Sequence, residues 1–103
     1  MKIAIVTTDG INVDDHFGKA ERFLIYEARD GRMVRTGERE TVPLSVGNQD
    51  HPFDPERFSQ IVSSIVDCQR VYVTKIGDIP AEKLKARGIE PVIYEGPIRD
   101  IEL

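Results

Sequence analysis

Apolar residues cluster along the chain in patterns that set local structure. Residues 2–7 carry Ile3, Ala4, Ile5 and Val6 without alternation. That suits a short strand covered on both faces and ending at the polar turn Thr7-Thr8-Asp9-Gly10, so a central strand is predicted. Residues 22–28 are rich in β-formers (Phe23, Leu24, Ile25, Tyr26), and Asp30-Gly31 then supplies the positive-φ positions of a tight hairpin. The returning arm, Met33 and Val34 onward to Val42, is heavily charged (Arg35, Glu38, Arg39, Glu40), as an edge strand that must resist pairing would be.

Residues 43–55 read as a loop of about a dozen residues, long for a compact domain, and long loops often carry function. This one contains Gly47, Asn48, Gln49, Asp50, His51 and Pro52. Asp54-Pro55 reads as N-cap and first helical residue, and Phe58, Ile61, Val62, Ile65 and Val66 follow at the spacing of one helix face. Residues 71–74 form a further strand, ended by Ile76-Gly77. A short helix follows, with Pro80 in its first turn, Leu84 inward and Gly88 as its stop, and residues 91–94 make the last strand.

A hairpin forces antiparallel pairing, while strand–helix–strand crossovers force parallel, right-handed connections. The fold class predicted is therefore α/β, with a mixed five-stranded sheet: first strand central, hairpin to one side, parallel strands to the other. In such a sheet residues 9–17, 45–54 and 75–79 emerge at one edge, and the carboxyl ends of parallel strands are where ligands bind.

The length, 103 residues, fits one domain spanning 1–103. With 40% hydrophobic and 31% charged residues the chain is too apolar for disorder. It has no membrane-length apolar run and no secretory signal, so a cytoplasmic location is expected. Fourteen basic and eighteen acidic residues leave a net charge of −4. That argues against a nucleic-acid partner, because phosphate binding needs Lys and Arg in excess on some face. One cysteine, Cys68, excludes an internal disulfide, a thiolate zinc cage and a Cys-x-x-Cys redox pair.

The loop after the first strand offers Thr7, Thr8, Asp9, Asn12, Asp14, Asp15 and His16, then Phe17-Gly18. The strand Lys2-Ile3-Ala4-Ile5, the run Asp15-His16-Phe17-Gly18-Lys19-Ala20 and the strand Phe23-Leu24-Ile25-Tyr26-Glu27 together resemble the dinitrogenase iron–molybdenum cofactor biosynthesis family. The resemblance continues through Asp67-Cys68, Ile76-Gly77 and the run from Leu84 to Val92, covering most of the chain. The chain departs from the family pattern at Asp78-Ile79-Pro80, where a second small residue is common, and in the loop retaining only Gly47 and His51.

The resemblance implies a ribonuclease-H-like sheet with helices on its faces, and a protein that binds rather than turns over. Its cargo would be an iron–sulfur or molybdenum-containing cluster, exchanged with cluster donor and acceptor proteins. A cluster that brings its own sulfides needs few protein ligands, and an imidazole on a mobile loop could donate to an open metal site and release it. His16 is the first metal-ligand candidate and His51 the second. Thr8, Asp9, Asp15, Phe17, Gly18 and Gly77 are candidates to surround the cluster.

Plainer roles compete for these residues. His16 could cap the turn at Lys19-Ala20-Glu21, His51 could be a solvated surface histidine, and Cys68 reads as a small buried hydrophobe at the opposite sheet end. Asp14 reads as a turn stabiliser. Asp9, Asp14 and Asp15 also suggest a divalent-metal nuclease, which would need carboxylates from several elements around a metal pair. A metal-free interaction or regulatory module on the same fold is a third reading.

Overall fold

A computed structural model describes residues 1–44 and 54–103. Expectations for the loop after the hairpin, including Gly47 and His51, lie outside the described residues. The main sheet comprises β1 (Lys2–Val6), β3 (Arg22–Arg29), β4 (Arg32–Glu40), β5 (Arg70–Val73) and β6 (Glu90–Ile93) in the order β4-β3-β1-β5-β6. β1 is central, antiparallel to β3 and parallel to β5, which is parallel to β6. This is the mixed sheet expected from the hairpin and the two crossovers. At the hairpin, Asp30 and Gly31 take φ of 55° and 78°, the left-handed pair that an Asp-Gly turn supplies.

Helix α1 (Pro55–Ser63) starts where its cap predicts, with the Asp54 carboxylate accepting from the Arg57 amide at 3.1 Å. It ends earlier than the apolar spacing suggests. The Ser63 and Ser64 hydroxyls donate to the Gln60 and Ile61 carbonyls at 2.7 and 2.6 Å, competing with the helical amides, and the following turns tighten to three-residue closures. Ile65 stays buried, while Val66, expected on the inner face, is 66% exposed. Helix α2 spans Asp78–Ala86, with Leu84 as its buried residue.

Strand alternation splits the core in two. On one face, Ala4, Val6, Phe23, Ile25, Val71 and Val73 pack with residues of both helices. On the other, Ile3, Ile5, Leu24 and Tyr72 pack with Val13 and Ile98. Both helices thus cover one face, unlike the arrangement with helices on both faces. The crossovers β4–α1–β5 and β5–α2–β6 step the same way along the sheet, so right-handed connections place both helices on the same side. The opposite face is covered by a two-stranded ribbon, β2 (Asn12–Val13) with β7 (Gly96–Pro97), and a single 3₁₀ turn, Ile98–Asp100.

Candidate functional site

β1 ends at Val6, and the chain turns sharply through residues 7–12. Thr7 is buried; its hydroxyl donates to Asp9 Oδ1 at 3.2 Å and accepts from the Gly10 amide at 2.9 Å. Asp9 Oδ1 also accepts from the amides of Ile11 and Asn12, both at 2.8 Å, and Oδ2 accepts from Asn12 Nδ2 at 3.0 Å. Gly10 has φ of +78°, which an L side chain rarely adopts. The hydrogen bonds from Asn12 and Ile11 hold the Asp9 carboxyl well below the usual carboxylate range. Asp9 is therefore the organiser of this turn.

Asp14 has the turn-stabilising role read for it. Its two oxygens accept from the Thr8 amide at 2.8 Å and the Thr8 hydroxyl at 2.6 Å, so Thr8 and Asp14 are committed to one another.

Beyond Asp14 the chain runs beside the extension of β5. The Thr74 amide donates to the Asp15 carbonyl at 3.0 Å and the Phe17 amide to the Lys75 carbonyl at 2.9 Å, forming a parallel bridge between His16 and Lys75. His16 thus sits on an anchored strand extension at the carboxyl ends of β1 and β5, rather than on the mobile loop expected. Its own amide donates to Asp15 Oδ1 at 2.8 Å. Its carbonyl accepts from the Lys19 amide at 3.1 Å, opening the 3₁₀ turn Phe17–Lys19, which includes Gly18. The imidazole is half-buried and makes no capping bond to that turn, so side-chain capping is not its role.

Phe17 points inward, 1% exposed, with ring centroids 6.3 Å from Phe23 and 6.2 Å from Phe58. Its place in the motif is that of an anchor: it ties the His16 backbone to the helix-side core. Gly77 is exposed at the start of α2, with φ of −71°, a conformation open to any residue, and an added Cβ would meet Pro80 at an ordinary 3.5 Å.

Thr7, Thr8 and Asp15 line a cleft of about 580 Å³ together with Lys19, Arg22 and Glu38. Arg22 is paired with Glu38 at 3.1 Å. Lys75, the bridge partner of His16, and Lys19, in the turn that follows it, are both exposed; sequence reading did not single them out, and the only signal was that residues 75–79 leave the sheet at this edge. Asp9, Asp14 and Asp15 do not converge on a common point suited to a metal pair. Among the described residues no three His, Cys, Asp or Glu side chains do so.

Cys68 lies where predicted, buried at the amino end of β5. Burial, and then the neighbouring Asp67, push its thiol up to about 11, so it is a neutral, poorly reactive group at neutral pH.

Comparison with known proteins agrees with the motif. The chain is 36% identical over 93 residues to the FeMo cofactor biosynthesis protein NifB of Klebsiella pneumoniae, covering 88% of this chain and 20% of that protein. It is 30% identical over 94 residues to Protein NifY of Azotobacter vinelandii, covering 89% and 35% respectively. It thus spans about a fifth of the length of that NifB and about a third of NifY. The crystal structure of PH0822 superposes with a TM-score of 0.70 at 23% identity, covering 97% of this chain and 85% of that one, which establishes a shared fold. An NMR structure of a putative NifB protein from Thermotoga superposes with a TM-score of 0.56 at 26% identity, covering 93% and 78%. The family model for dinitrogenase iron-molybdenum cofactor matches residues 1–102, and the chain belongs to that family.

Proposed function

We propose that residues 1–103 act as one carrier domain for an iron–sulfur or molybdenum-containing cluster, taking it from a donor protein and passing it to an acceptor during metallocofactor assembly, without turnover. His16 is the protein donor in this reading, and His51 is a second. In the same reading the sheet is ribonuclease-H-like and the protein is cytoplasmic.

The observation that carries the proposal is the state of His16. Its backbone is fixed by the bridge to Lys75, while its imidazole is half-buried and makes no capping bond. A preset donor with an uncommitted side chain suits ligation. Among the described residues no three His, Cys, Asp or Glu side chains converge as a lone ion would require, and a cluster that brings its own sulfides needs fewer protein donors. Lys19 and Lys75 beside the bridge add positive charge suited to an anionic cluster. Asp15, Phe17 and Gly18 frame the histidine, Asp9 and Thr8 hold the preceding turn, and Gly77 borders the same edge.

Anaerobic purification followed by iron, molybdenum and acid-labile sulfide analysis tests the reading, together with cluster uptake followed by visible absorption. Uptake that is strong in the parent and weakened in His16→Ala is the expected result. Equal uptake by both proteins removes His16 from the role.

A further inference from the structure

The chain holds two Asp-Gly dipeptides, Asp9-Gly10 and Asp30-Gly31. An aspartyl side chain is most readily attacked by the amide that follows it when that amide belongs to glycine, which puts no side chain in the way. Both aspartates are exposed, and both glycines have φ of +78°. Exposure and the glycine backbone therefore do not separate the two sites; their hydrogen bonds do. We propose that Asp30, at the hairpin tip, is a site of isoaspartate formation, and that the turn around Asp9 protects the same dipeptide there.

In the reaction the Gly31 amide nitrogen bonds to Asp30 Cγ. The Cγ–OH bond breaks, and the hydroxyl leaves with the amide proton as water, closing a succinimide ring. Water then opens the ring at one of its two carbonyls. Attack at Cγ restores Asp30, and attack at the Asp30 backbone carbonyl carbon leaves isoaspartate, with the main chain running through Cγ. Nothing but water enters or leaves. The step needs an uncommitted amide and a carboxyl that can be protonated, because an oxide is a far poorer leaving group than hydroxide.

Asp9 meets neither condition. Its Oδ1 accepts from the Thr7 hydroxyl and the Ile11 and Asn12 amides and its Oδ2 from Asn12 Nδ2, which hold the group ionised, well below the usual carboxylate range. The Gly10 amide, the nucleophile, donates to Thr7 Oγ1 at 2.9 Å. At the hairpin, among the described residues, no donor holds the Asp30 carboxylate and no acceptor takes the Gly31 amide. Isoaspartate adds a carbon to the main chain of a two-residue turn that sets the Arg29 to Arg32 pairing, so the modified hairpin loosens at its tip. The inference stands apart from cluster binding and is measured on cluster-free protein.

The full chain is incubated at pH 6 for several weeks, folded and in guanidinium chloride, and then cleaved after glutamate. Peptide 28–38 carries Asp30 and peptide 1–21 carries Asp9; electron-transfer fragmentation locates isoaspartate in each. In the folded chain Asp30 is expected to exceed Asp9 by at least about tenfold, and in denaturant the two should converge. Thr7→Val, which takes the acceptor from Gly10 and a donor from Asp9, is expected to raise isomerisation at Asp9, while Thr7→Ser leaves it low. Should Thr7→Val fail to fold, Asn12→Ala is read in its place. Asp30→Gly keeps a Gly-Gly turn and should abolish the signal in peptide 28–38. The proposal is overturned if Asp30 stays unmodified in the folded chain, if Asp9 keeps pace with it there, if the gap persists in denaturant, or if the folded variant leaves Asp9 as protected as in the parent.

Discussion

Each end of β1 carries an acid and a metal-ligand type of side chain, and the two ends use them in opposite ways. At the carboxyl end, Asp9 is held by groups no more than three residues away, and the fixed backbone beyond it carries His16 with an uncapped imidazole. At the amino end, Asp67 is held by Lys2 at 3.0 Å and Arg39 at 2.6 Å, 65 and 28 residues distant, and its neighbour Cys68 is buried with a neutral thiol. One end holds its acid in a local turn, ties the backbone beyond it to Lys75 and leaves its ligand-type side chain available. The other joins β1, β4 and the start of β5 and spends its ligand-type side chain on packing. A potential metal ligand is thus judged by what already holds it, not by its residue type.

The largest effect expected at the His16 end is on the anchor. Phe17→Ala removes a buried ring packed on Phe23 and Phe58, at a cost of about 3–5 kcal/mol in urea unfolding. His16→Ala, one residue earlier, should change stability by less than ~1 kcal/mol. If His16 ligates the cluster, its loss should weaken cluster binding about a hundredfold, or ~2.7 kcal/mol. Together the two variants separate the residue that holds the loop from the one proposed to hold the cargo. A His16→Ala protein that melts many degrees lower yet binds normally would reverse those roles.

The elements carried by local chemistry were legible in advance: the Asp54-Pro55 cap, the Asp30-Gly31 hairpin and, from these with the crossovers, a central first strand with the hairpin on one side and the parallel strands on the other. The edge at which His16 emerges followed from that order. The ribbon was not legible, because two residues on each side, Asn12 with Pro97 and Val13 with Gly96, are too few to impress a period and lie at opposite ends of the chain. Val66 was misplaced because helical spacing does not register two serine hydroxyls capturing carbonyls just before it. Phe17 read as part of the candidate site because its motif neighbours His16; only packing distinguishes an inward ring from a residue around a cluster.

At the opposite end, Cys68→Ala should lower stability by about 1 kcal/mol, the scale of a small loss of buried volume, and leave cluster uptake as in the parent. The thiol of the folded protein should resist iodoacetamide at pH 8 until denaturant is added, since burial keeps it protonated up to about 11. Rapid alkylation of the native protein, or loss of uptake in Cys68→Ala, would erase the contrast between the two ends.

The smallest effect concerns acid. Asp67 is held well below the usual carboxylate range, first by Arg39 and then by Lys2. Its folded value is lower than the ~3.9 of an unfolded aspartate, so its contribution to stability is present above that pH and disappears as pH falls through the folded value. Its side chain is 41% exposed, so solvent screening limits that contribution to under ~1 kcal/mol. Urea unfolding of parent and Asp67→Asn should therefore differ by a small, constant amount between pH 5 and pH 8, and the curves should converge below pH 4. Asp9→Asn should behave in the same sense, because its carboxylate is depressed by neighbouring amides of its own turn. A gap that widens in acid would mean that these aspartates are not stabilised in their charged form, and that neither end of β1 is held as its hydrogen bonds indicate.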